Sequence, residues 1–179
     1  MTEAGRVYGE ALYELAREEK AEKRIMEELG MASRLFRENP GYVKLMGLHS
    51  VPKKERSEAL EKAFSGRVHP YLLNFLKLLA ERGAFGEVKS SLEAYTARYN
   101  SDNGILPVRA VSARALREGE IALLKEKLDR LTGKNTVISA ETDPSLLGGV
   151  RLTMDGKLYD GSVSTRLREL EKALSGAVL

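Results

Sequence analysis

A chain of 179 residues, 42% hydrophobic and 31% charged with a net charge of +3, has the make-up of a folding protein, one large domain or two small ones, rather than a disordered tail. The lack of cysteine excludes disulfides and thiol chemistry, and acids and bases nearly balance on both sides of Gly104, which leaves no basic lobe for nucleic acid. No apolar run approaches the ~20 residues that span a bilayer, and Glu3, Arg6 and Glu10 interrupt the place of a secretion signal, so neither membrane insertion nor export is expected.

The first hundred residues read as successive helices. The first carries Ala4, Tyr8, Ala11, Leu12 and Leu15 on one face, at three-four spacing. The second has Ile25, Leu29, Ala32 and Phe36 in register and is expected to stop at Asn39-Pro40-Gly41. A short apolar stretch from Tyr42 to Leu48 follows. Pro52 suits the first turn of a helix that buries Ala59, Leu60, Ala63 and Phe64. From Pro70 to Ala80 apolar side chains cover most of the circumference, so this helix must be enclosed by others or by a partner. A last helix sets Phe85, Val88, Leu92, Tyr95 and Tyr99 in a stripe, and the turn chemistry of 100–104 is expected to end it and serve as a linker.

Beyond Gly104 the period changes to that of strands. Leu106, Val108 and Ala110 alternate with polar neighbours, a helix places Ile121, Leu124, Leu128 and Leu131 in register, and Thr136 to Glu141 is a second β-prone run. Val150, Leu152 and Met154 alternate up to Asp155-Gly156, a hairpin signal, with Leu158 and Tyr159 on the return. A final helix is expected to bury Val163, Leu167, Leu170 and Leu174. The expected fold is α plus α/β: a six-helix antiparallel bundle over 1–104, then a small mixed α/β domain over 105–179.

Residues capable of chemistry are scarce. The two histidines, His49 and His69, stand at helix ends without metal-ligand spacing, and read as surface or capping residues. Glu18-Glu19 and Glu27-Glu28 read as solvated helix faces, as do Lys53-Lys54 and Arg166/Arg168. No phosphate-binding loop is present, and Gly148-Gly149 precedes a β-alternating run, so these glycines are expected to allow a tight turn or a close backbone approach. No catalytic residue, cofactor or metal is expected. Tyr8 and the surplus apolar positions of the fifth helix, Leu78 above all, either fill the core or line a groove for a partner helix.

Asp143-Pro144-Ser145-Leu146-Leu147-Gly148-Gly149-Val150-Arg151-Leu152, continued through Asp155-Gly156-Lys157-Leu158-Tyr159-Asp160-Gly161-Ser162-Val163, resembles the C-terminal signature of the ATP synthase delta subunit family, to which the mitochondrial oligomycin-sensitivity-conferring protein is related. Arg6-Val7-Tyr8-Gly9-Glu10-Ala11-Leu12-Tyr13 is similar to the family's opening, with Gly9 where alanine is usual, and Asn74-Phe75-Leu76-Lys77-Leu78-Leu79 resembles its fifth helix. A mid-helix glycine weakens a helix by about 1 kcal/mol, so the first helix is expected to be less rigid here.

The resemblance implies a stator subunit, one copy per complex, at the cytoplasmic face of the bacterial inner membrane. Its N-terminal bundle would capture the N-terminal helices of the alpha subunits, and its C-terminal domain would hold the two b (or b and b') subunits of the peripheral stalk. Tyr8 and Leu78 match positions that face the alpha-subunit helix in relatives, and Ala11 would let that helix approach closely. The region from Leu146 to Val163 is expected to build the fold. The stalk contact is expected from the last helix, with Leu170 and Leu174, or from neighbouring strand edges. A free-standing helical interaction adaptor is the alternative.

Overall fold

The computed structural model describes residues 1–48, 50–162 and 165. The chain divides into two compact units, Met1–Tyr99 and Asn100–Leu179. Six α-helices lead: α1 (Glu3–Glu18), α2 (Glu22–Glu38), α3 (Pro40–Gly47), α4 (Lys53–Phe64), α5 (Pro70–Glu81) and, after a 3-10 turn at Phe85–Glu87, α6 (Val88–Asp102). The second unit continues with β1 (Ile105–Ser112), α7 (Glu118–Thr132), β2 (Asn135–Thr142), β3 (Val150–Met154) and β4 (Lys157–Asp160).

One apolar core fills the first unit. Ile25, Leu29, Ala32 and Phe36 of α2 are all buried, as the periodicity predicts, and meet Leu60 of α4 and Leu72, Leu76 and Leu79 of α5. Phe36 joins an aromatic cluster, edge-on to Phe85 with ring centroids 4.8 Å apart and stacked on Tyr42 at 6.0 Å. The α5 helix starts where Pro70 needs no amide partner. His69 caps it: Nδ1 accepts from the Tyr71 amide at 3.3 Å, while the His69 amide donates to Glu28 Oε2 at 2.6 Å.

In α1 the buried row differs from the expected face. Leu12 is inside, but with Gly5, Gly9, Tyr13 and Ala16, while Ala4, Ala11 and Leu15 face solvent and Tyr8 is half-buried. The cause is a backbone-close contact with α6: a Cβ at Gly9 would collide with the Ser91 carbonyl oxygen and stand 2.8 Å from Ala94 Cβ. Glycine at position 9 therefore serves packing, and the small residues turn the helix so that Tyr13 meets Tyr95 edge-on at 5.3 Å. The expected loosening of α1 at this residue does not take account of that contact.

The sheet of the second unit has strand order β2-β1-β3-β4, with β1 parallel to β2 and antiparallel to β3, and β3 antiparallel to β4. Leu106, Val108 and Ala110 point inward from β1, the first two forming a core with Leu128 of α7. Gly149, with φ 82° and no room for a Cβ beside the Gly161 carbonyl oxygen, provides the close approach read from the sequence. Other expectations need correction. Leu131 is 82% exposed rather than in the helix stripe, Pro52 precedes α4 rather than opening it, and α6 runs through Asn100 to Asp102, so its turn starts only at Asn103. His49, Val163, Arg166, Leu167, Arg168, Leu170 and Leu174 lie outside the described residues.

Candidate partner-binding face

Apolar positions left outside the core lie on several helices of the first unit: Val7, Leu15 and Leu78 on α1 and α5, and Met31, Leu35 and Leu45 on α2 and α3. Val7 is 53%, Leu15 46% and Leu78 40% exposed; Ala11 is exposed and Tyr8 packs half-buried against the core. Ala11 and Leu15 lie four apart on α1, in line with Glu19 just past its end, and Tyr71 and Leu78, seven apart, share one face of α5. The end of α1 meets the start of α5 there, because Tyr71 Oη donates to Glu19 Oε1 at 3.0 Å. Neighbouring charges are tied elsewhere: Lys77 pairs with Glu61 of α4, Arg98 of α6 lies 3.6 Å from Glu14, and Arg6 reaches Glu10 at 3.2 Å. Val7, Leu15 and Leu78 are thus exposed apolar positions on two adjoining helices, with the acids Glu18 and Glu19 close to Tyr71, and helices presenting such positions can accept the apolar stripe of an amphipathic helix. Of the partner-contact residues read from the sequence, Tyr8, Ala11 and Leu78 fall on α1 and α5, whereas Leu170 and Leu174 are outside the described residues.

Two charged side chains are internal. Arg56 is 3% exposed, and its Nη1 donates to the Met46 carbonyl at 2.9 Å and to the Ala80 carbonyl, so one cation meets the negative C-terminal ends of α3 and α5. Glu28 is 7% exposed and joins Arg24, at 2.7 Å, to the start of α5, which corrects its reading as a solvated acid. Neither was legible, because each sits among charged neighbours without a spacing that marks it.

Several titratable groups of the second unit are held by local partners. In a recess of ≈ 500 Å³ beside Gly148 and Gly149, Glu120 is drawn down to about 2 by the Arg114 guanidinium, 2.5 and 3.0 Å away, and by the Arg117 amide. Asp129 falls to about 2 through Lys125 at 2.8 Å and through the hydroxyl and amide of Thr136. Carboxylates so stabilised are weak proton acceptors at neutral pH. In the first unit burial pushes the Tyr95 phenol up, and its hydroxyl donates to the Glu22 carbonyl at 2.9 Å. Among the described residues no group of three His, Cys, Asp or Glu is placed to hold a metal, and no helix is long and apolar enough to cross a membrane.

The family model for the ATP synthase delta (OSCP) subunit matches residues 4–174. ATP synthase subunit delta of Carboxydothermus hydrogenoformans is 31% identical over 94% of this chain and 95% of the relative, and that of Prochlorococcus marinus 32% identical over 91% and 90%. A chain from the cryo-EM structure of the Toxoplasma gondii mitochondrial ATP synthase hexamer superposes with a TM-score of 0.74, covering 97% of this chain and 98% of that one; at 16% identity this speaks to the fold alone. With the family model spanning nearly the whole sequence and relatives above 30% identity matching end to end, the chain belongs to the ATP synthase delta (OSCP) subunit family.

Proposed function

We propose that this chain is the non-catalytic stator subunit of an F-type ATP synthase, one copy per complex, joining the catalytic head to the peripheral stalk so that the head resists rotor torque and ion transport stays coupled to ATP synthesis. Residues 1–104, as an antiparallel six-helix bundle, dock the N-terminal helix of an alpha subunit along α1 and α5, with Tyr8, Ala11 and Leu78 in the contact. Residues 105–179 hold the two b (or b and b') subunits, through Leu170, Leu174 or adjoining strand edges. The complex lies at the cytoplasmic face of the bacterial inner membrane.

The observation that carries this reading is the exposure of the apolar residues Val7, Leu15 and Leu78 on helices that Tyr71 and Glu19 tie together. A joint that outlasts many turnovers needs an affinity on the order of nanomolar, about −12 kcal/mol. Two moderate grips in one chain reach this through effective concentration. The test is reconstitution of head, stalk and membrane sector with and without the chain. The reading expects the chain to restore ATP-driven ion pumping while leaving ATP hydrolysis by the free head unchanged; equal pumping in its absence refutes it. Co-purification in fixed ratio with alpha, beta and b subunits separates it from a free-standing adaptor.

A further inference from the structure

The helical unit carries a cleft of ≈ 650 Å³ between α2, α3, the 3-10 turn and the start of α6. Its floor is apolar, formed by Phe36, Val43, Phe85, Val88 and Leu92. On its rim stand Arg34, Arg37, Lys44 and Lys89, all exposed, and among the described residues none of the four has a hydrogen bond or ion pair. The acid that lines it, Glu93, lies 3.5 Å from the Met1 amino nitrogen. Several other surface cations of this unit are matched, as in Arg6–Glu10, Arg24–Glu28, Lys77–Glu61 and Arg98–Glu14. Four unmatched cations around an apolar floor repel one another and draw an anion to it.

The size of the cleft bears on what fits. From α2 it takes only Gly30 to Arg37 and from α6 only Val88 to Glu93, so at 1.5 Å per residue its walls run ~10 Å, about two helical turns. A docked helix uses anchors at i, i+3, i+4 and i+7 and extends past such walls, whereas clefts of ~300–1,000 Å³ suit small ligands.

We propose that this cleft binds a compact anionic amphiphile, a single alkyl chain with a carboxylate head: the chain lies on Phe36, Val88 and Leu92, and the head sits among Arg34, Arg37, Lys44 and Lys89. The proposal stands independently of helix docking on α1 and α5. Dodecanoate, below its micellar concentration, is titrated into the full chain by calorimetry and by amide chemical shifts. One saturable site is expected, with shifts confined to residues 30–37, 43–44 and 85–93, and no binding of dodecyltrimethylammonium. Arg34→Glu with Lys89→Glu weakens binding about tenfold or more, as rim charges within several ångströms of the head require. Arg37→Gln with Lys44→Gln, milder changes at exposed positions, weaken it in the same direction, and circular dichroism confirms the fold of each variant. Equal binding of the cationic amphiphile, undiminished binding in both double variants, or shifts elsewhere overturns the proposal. So does capture by phosphatidylglycerol vesicles without binding of free dodecanoate, which makes the patch a membrane contact, or an acidic helical peptide that shifts these amides where dodecanoate does not.

Discussion

Polar side chains tie elements together in both units, but at different depths. In the helical unit two of the ties are internal: Arg56 holds carbonyls at the ends of α3 and α5, and Glu28 holds the amide that starts α5, with 3% and 7% of each residue exposed. In the sheet unit the ion pairs lie where solvent reaches them, as with Arg109 and Glu141, joined at 2.6 and 2.8 Å across β1 and β2 with side chains 58% and 49% exposed, or Arg114 and Glu120. Water competes for the second kind and not for the first. Similar bonds should therefore differ widely in what their loss costs.

The sharpest way to break this contrast is Arg56→Leu. It strands the Met46 and Ala80 carbonyls in the core, and we expect the helical unit to lose about 3 kcal/mol in denaturant unfolding; a loss no larger than that of a surface substitution would erase the distinction. Next is Gly9→Ala. Helix propensity alone favours alanine by about 1 kcal/mol, but the collision with Ser91 forces α1 and α6 apart, so a net loss of about 2 kcal/mol is expected. A variant more stable than the parent would show that the helices separate freely. Smallest is acid. Glu120, Asp129 and Asp160 have folded-state values of about 2, below the ~4 of unfolded carboxylates. Their contribution is complete above ~4 and fades as pH falls from there towards 2. Amide exchange from pH 5 to pH 2 should show the sheet unit loosening gradually over that window, with less of a pH response after Asp129→Asn; a flat response would contradict the assignment.

The sequence reveals the elements better than their faces. The α2 row of Ile25, Leu29, Ala32 and Phe36 is legible because its apolar residues keep helical period, and β1 and the hairpin at Asp155-Gly156 are legible by alternation and turn chemistry. The face of α1 is not, because what turns it inward is two glycines against α6, and an amphipathic pattern does not register closeness of backbones. Leu131 follows the stripe of α7 yet is exposed, since it occupies the last turn, beyond the reach of the Leu106–Val108–Leu128 core. For the candidate site, surplus apolar character points to Tyr8 and Leu78, and the family resemblance to the same two, whereas Ala11 is read only from its small size beside a docked helix. Val7 and Leu15 emerge as exposed apolar neighbours only once the helices are packed.

Docking along α1 and α5 is the central claim, and titrating the full chain with the N-terminal segment of the alpha subunit from the same enzyme tests it directly. Saturable binding is expected, weakened at least tenfold by Leu78→Asp or Tyr8→Ala, through loss of the ~1.4 kcal/mol or more that an apolar anchor contributes, with the melting of the helical unit little changed by Leu78→Asp. Undiminished affinity in both variants would mean that the peptide is held on another surface.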